Sequence, residues 1–103
     1  LSKLDEIDFM PQNDWDSPNY WLSAIILSGK VTPDDVMDAL ERENIESRPV
    51  WKPMHLQPFY SDYEFIGTDV SEKLFENGIC LPSDTKMTAS DLTRVVTNIK
   101  SIV

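Results

Sequence analysis

The sequence predicts an α+β fold: a small, mostly antiparallel sheet with about three helices packed on one face. Three observations predict it. The apolar pattern changes period along the chain, from the short β-branched and aromatic run Tyr20–Leu27 (YWLSAIIL) to helical spacings of three and four around Val36, Met37 and Leu40. Helix-opening signals recur at Thr32, Asp69 and Thr88, and short apolar runs lie between them. Finally, 103 residues leave room for one domain with a modest core and no second domain.

The N-terminal segment Leu1–Met10 alternates weakly, with Leu4, Ile7 and Phe9 apolar among acids, and predicts a helix end running into a short edge strand. Pro11–Pro18 (PQNDWDSP) is turn-rich and ends it. Tyr20–Leu27 is apolar on both alternating faces, which predicts a central strand, and Ser28, Gly29 and Lys30 turn the chain after it. A helix follows over Thr32–Asn44. Thr32 is its N-cap, Pro33 takes the first helical position, and Asp34 and Asp35 put negative charge on the positive end of the dipole. Val36, Met37 and Leu40 make its buried stripe, and Arg42 suits its C-terminal end.

Ile45–Val50 is expected to return as a short strand before an irregular loop. Pro49, Pro53 and Pro58 each fix φ and withhold an N–H, so Trp51–Pro58 is predicted to be a stiff, extended loop. Ser61–Phe65 reads as irregular. Asp69–Glu76 predicts a second helix, with Asp69 and Glu72 spaced as a capping box, Val70 and Leu74 inward, and Asn77-Gly78 as its stop. Ile79–Leu81 reads as a buried strand ended by Pro82. The last helix opens at Thr88 with Asp91 three residues on, and is expected to bury Leu92, Val95 or Val96, Ile99 and Ile102.

Composition narrows the function. Eighteen acidic against nine basic residues give a net charge of −9. Such a surface repels phosphate backbones and anionic bilayers, which argues against nucleic-acid and membrane partners. Cys80 is the single cysteine, so there is no intrachain disulfide and no cysteine-rich metal site, and a reduced, cytoplasmic setting is expected. The N-terminus carries neither a signal-peptide pattern nor an initiator Met, so the chain is expected to be a piece of a larger product.

The densest set of recognition side chains lies in Glu46–Tyr60 (ESRPVWKPMHLQPFY). A stiff loop loses little further entropy on binding, which makes Arg48, Trp51, His55 and Tyr60 the candidate site. Each has a plainer reading. His55 has no sequence-near Asp, Ser or Cys to form a triad, and is either a ligand contact or a structural residue. Trp51 either packs or stacks on a ligand, and Arg48 either clamps a carboxylate or phosphate or makes a surface salt bridge. The three glycines stand far apart, so no phosphate-cradling loop is available, and no pair of carboxylates is marked as catalytic.

Three motifs in order, NYWLSAIIL at Asn19–Leu27, RPVWKPMHLQP at Arg48–Pro58 and SEKLFENGICLPSDTKMT at Ser71–Thr88, resemble the C-terminal part of the DegT/DnrJ/EryC1/StrS aminotransferases. The terminal DLTRVVTNIK matches as well. The resemblance implies the small C-terminal domain of a fold type I enzyme that uses pyridoxal phosphate. In the full-length protein, an amino group, from glutamate, would pass to a nucleotide-linked keto-deoxy sugar. It implies a homodimer, with the loop reaching towards the sugar across the subunit interface and His55, Trp51, Arg48 and Tyr60 contacting substrate. The cofactor-bearing large domain would precede Leu1. None of Lys3, Lys30, Lys52, Lys73, Lys86 or Lys100 has the setting of a Schiff-base lysine, so no cofactor is expected on this chain alone and the chain should be inactive by itself. The competing expectation is a free-standing acidic domain that binds a protein or small ligand without chemistry.

Overall fold

The computed structural model describes residues 1–103. Four strands form one antiparallel sheet in the order β1-β2-β4-β3: β1 Ile7–Phe9, β2 Ser23–Leu27, β3 Arg48–Pro49 and β4 Gly78–Leu81. Three α-helices complete it: α1 Pro33–Arg42, α2 Val70–Asn77 and α3 Ala89–Lys100. The α+β class, the edge position of β1 and the central position of β2 all agree with the sequence reading.

Register explains the core. Ile7 pairs with Leu27, Ile25 with Ile79, and Ser23 with Leu81, so Ile7, Ile25, Leu27, Ile79 and Leu81 share one face. Val36 and Leu40 of α1 and Val95 and Ile99 of α3 complete a single buried cluster with them and with Ile45. Both helices hold their first turns by the same device. The Thr32 hydroxyl accepts from the Asp35 N–H while the Asp35 carboxylate accepts from the Thr32 N–H; Thr88 and Asp91 repeat the pattern. The helix α1 ends in a Schellman motif. Asn44, in the left-handed region at φ 59, donates to Glu41 O, and Ile45 donates to Leu40 O at 2.9 Å.

Two of the helices, α1 and α3, make the one-face packing. The third, α2, lies against β4 and β2 but buries no residue of its own. Ile26 alternates away from the core face and lines, with Val70 and Leu74, an open pocket under α2. The helix enters β4 without a loop. Gly78 is extended at φ −97 and ψ 139, not left-handed, and a Cβ there would stand 2.3 Å from Leu74 O and 2.6 Å from Val50 Cγ2. The Asn77-Gly78 stop therefore works through close packing and not through a left-handed cap.

Other expectations are corrected. The strand predicted over Tyr20–Leu27 starts only at Ser23, because Tyr20 is left-handed at φ 50 and Asn19 Oδ1 takes the Trp21 N–H. Leu1–Glu6 is turn and not helix. The strand expected over Ile45–Val50 shrinks to Arg48–Pro49, at the sheet edge where proline's missing N–H is tolerated. Asp69 makes no capping box; its carboxylate pairs instead with Lys73 Nζ at 2.7 Å. Val70, Leu74 and Leu92, expected inward, are exposed. The loop expected to be extended contains two 3₁₀ turns, Met54–Leu56 and Pro58–Tyr60.

Candidate functional site

The proline-rich loop is knitted by its own backbone. Leu56 N–H donates to Pro53 O, Gln57 N–H to Met54 O and Tyr60 N–H to Gln57 O, while the Gln57 side-chain amide donates to Lys52 O at 3.0 Å. Pro53 and Pro58 precede or open these turns because φ near −65° suits a 3₁₀ start. The loop is coiled and not extended.

His55 is the best-held candidate. Its Nε2 lies 2.9 Å from Glu72 Oε1 on the first turn of α2, and its ring stacks on Phe65 with centroids 3.7 Å apart and planes 16° from parallel. The side chain is 16% exposed. Tyr60 is half-buried in a run of aromatics: edge-on to Phe59 at 5.0 Å and tilted towards Tyr63 at 6.1 Å. Trp51 is 67% exposed, and Phe59 and Ile66, further along the chain, are 79% and 88% exposed. Arg48 takes a different direction. Its Nε donates to Glu46 Oε1 at 2.9 Å, both side chains are exposed, and the pair sits on the rim of a cleft of about 480 Å³. That cleft is lined by Cys80, Leu81, Asp84, Asp91 and Arg94 among others, and none of Trp51, His55 or Tyr60 reaches it.

The loop therefore brings His55 together with Phe65 and Glu72, but not with Arg48. Sequence reasoning missed Glu72 and Phe65 as site residues, because the Glu72 contact spans 17 positions and no local pattern marks it. Glu72 was instead assigned to the cap of α2. Burial pushes the Cys80 thiol pKa up, which favours its protonated form.

The sequence profile described as the DegT/DnrJ/EryC1/StrS aminotransferase family matches residues 1–100. The chain belongs to this family. It is 40% identical over 100 residues to EpsN of Bacillus subtilis (strain 168), assigned by name to the pyridoxal phosphate-dependent aminotransferases, covering 93% of this chain and 26% of EpsN. It is 29% identical over 86 residues to the GDP-perosamine synthase of Caulobacter vibrioides, covering 82% of this chain and 23% of that protein. A solved DegT DnrJ EryC1 StrS aminotransferase from Brucella abortus shares the fold with a TM-score of 0.80 at 24% identity, over 94% of this chain and 26% of that one. The chain thus spans about a quarter of the length of the curated relatives it matches.

The family's cofactor sets a test that these residues do not meet. Pyridoxal phosphate needs a lysine and a carboxylate held against its ring in a water-poor site. No polar or charged residue is buried here, and Lys73 is an exposed partner of Asp69. The residues of this chain do not fit the cofactor.

Proposed function

We propose that the chain is the small C-terminal domain of a pyridoxal phosphate-dependent sugar aminotransferase, the cofactor-holding domain lying outside this sequence. In the complete protein an amino group from glutamate passes to a ketone on a nucleotide-linked deoxy sugar, and this domain closes the site. The observation that carries the reading is the family match over residues 1–100, together with relatives named as an aminotransferase and as a GDP-perosamine synthase. Surface accounting supports a domain built to be covered. A compact 11.8 kDa monomer exposes about 5,900 Å², whereas this chain exposes 8068 Å². Its radius of gyration is 15.2 Å, against about 13 Å for a compact chain of this length. A row of exposed aromatic and aliphatic side chains on the loop is the kind of surface that a neighbouring domain or subunit buries.

His55, Trp51 and Tyr60 are the residues of this domain that face the sugar in this reading, and Arg48 stands apart at the cleft. The test is a half-reaction. The complete protein, converted to its pyridoxamine form with glutamate, should return to the pyridoxal absorbance when a nucleotide-linked 4-keto-6-deoxy sugar is added. No return with any keto sugar, beside normal turnover with a simple keto acid, would contradict the substrate class.

A further inference from the structure

We propose that Glu72 is a positioning residue that fixes the tautomer of His55, so that the imidazole offers an acceptor, not a donor, to a hydroxyl of the ligand. The inference rests on the reading of His55 as a sugar contact. A carboxylate accepts only, so the contact of 2.9 Å between His55 Nε2 and Glu72 Oε1 places the hydrogen of the neutral ring on Nε2. Nδ1 is then left with its lone pair. The stack on Phe65 fixes the plane of the ring, which leaves the direction of that lone pair little freedom.

The anchor is firmer than a half-buried glutamate suggests. Glu72 sits in the first turn of α2, and α2 runs through Gly78 into β4, a strand buried along its whole length. Val50 N–H donates to Gly78 O, so the chain leading into the loop is tied to the same junction. His55 is held from both sides: by the loop's own 3₁₀ turn and by a helix welded to the sheet. Specificity follows from the chemistry. An acceptor nitrogen favours a ligand hydroxyl and disfavours a carbonyl or carboxylate at the same place, where two lone pairs would face each other.

The chain has one histidine, so nitrogen-15 imidazole spectra report this ring without assignment ambiguity. At a pH where the ring is neutral, wild type should show a protonated Nε2 and a bare Nδ1, and Glu72→Ala should lose that preference while the amide spectrum of the sheet is unchanged. A wild-type ring protonated on Nδ1, or a preference that survives Glu72→Ala, would overturn the assignment. In the complete protein, Glu72→Ala should lower kcat/KM for the keto sugar about tenfold, leave the glutamate half-reaction alone, and add nothing in a His55→Ala background. A harmful His55→Ala beside a silent Glu72→Ala sinks this inference alone. A silent His55→Ala sinks the reading of His55 and the functional half of the inference with it.

Discussion

Helices α1 and α3 each begin on a threonine whose hydroxyl and partner aspartate close a reciprocal cap, and each buries a stripe of aliphatic residues against the sheet. By contrast, α2 begins on an aspartate that caps nothing, buries no residue, and spends its first-turn glutamate on a histidine from a distant loop. Similar local sequences, S/T/D-x-x-D/E before an apolar run, therefore serve two ends. On the α1 and α3 side the caps and, except at Leu92, the apolar stripes agree with the tertiary packing, as expected of a self-sufficient core. On the loop side those preferences are given up for one contact across 17 positions and a surface of exposed aromatics, as expected where recognition is built.

The comparison is broken most severely in the core. Ile79→Ala, at a side chain fully buried between β2 and the two capped helices, should cost about 3–4 kcal/mol, whereas Phe59→Ser on the loop should change the stability of the isolated chain by no more than about 0.5 kcal/mol. Urea titration followed by far-UV circular dichroism separates them; equal losses would mean that the loop belongs to the folding core. Gly78→Ala comes next. The added methyl meets Leu74 O, a backbone atom that cannot swing aside. A loss of about 2 kcal/mol should appear as a Tm about 8–16 °C lower.

The caps give a smaller, sharper contrast. Thr88→Ala should cost about 1 kcal/mol, while Asp69→Ala, at a position with no cap bond, should cost almost nothing. Acid titration gives the smallest effect. Hydrogen bonds from the Thr32 side chain and backbone hold the Asp35 carboxyl below its usual range, and those from Thr88 do the same for Asp91. A group whose folded pKa is lowered contributes stability that is present above the unfolded value, about 3.9, and is lost as pH falls through the folded value. Stability from these caps should thus be flat from neutral pH down to about 4 and decline below it. The decline should be shallower in Thr32→Ala, as read by thermal melts at successive pH values.

What the sequence made legible follows the same division. Thr32 as N-cap, Thr88 with Asp91, the central β2 and the buried β4 could be read because each depends on neighbours within a few residues or on alternation, whereas Asp35 was read only as dipole charge and closes the cap on Thr32 as well. Asp69 and Glu72 show the matching spacing, but a spacing does not reveal that His55 will compete for the glutamate. Val70, Leu74 and Leu92 obey helical periodicity, yet burial depends on how closely the opposite side packs, and the open pocket beside Ile26 leaves Val70 and Leu74 exposed. The loop's prolines rule out a regular helix or central strand there, whereas its 3₁₀ form depends on bonds such as Leu56 N–H to Pro53 O that no composition specifies. His55 was singled out as the one imidazole in a recognition loop; Phe65 and Glu72, which hold it, became visible only in three dimensions.

In the proposed reading, one side of the sheet is complete in itself while the loop side is finished by contacts outside this chain. Amide hydrogen exchange compared between the isolated chain and the complete protein tests it most directly. Amides of β2, β4, α1 and α3 should be equally protected in both, and residues 51–66 should gain protection in the complete protein beyond what their own turn hydrogen bonds provide. Loop amides equally protected in the isolated chain, or unprotected in both, would contradict the account.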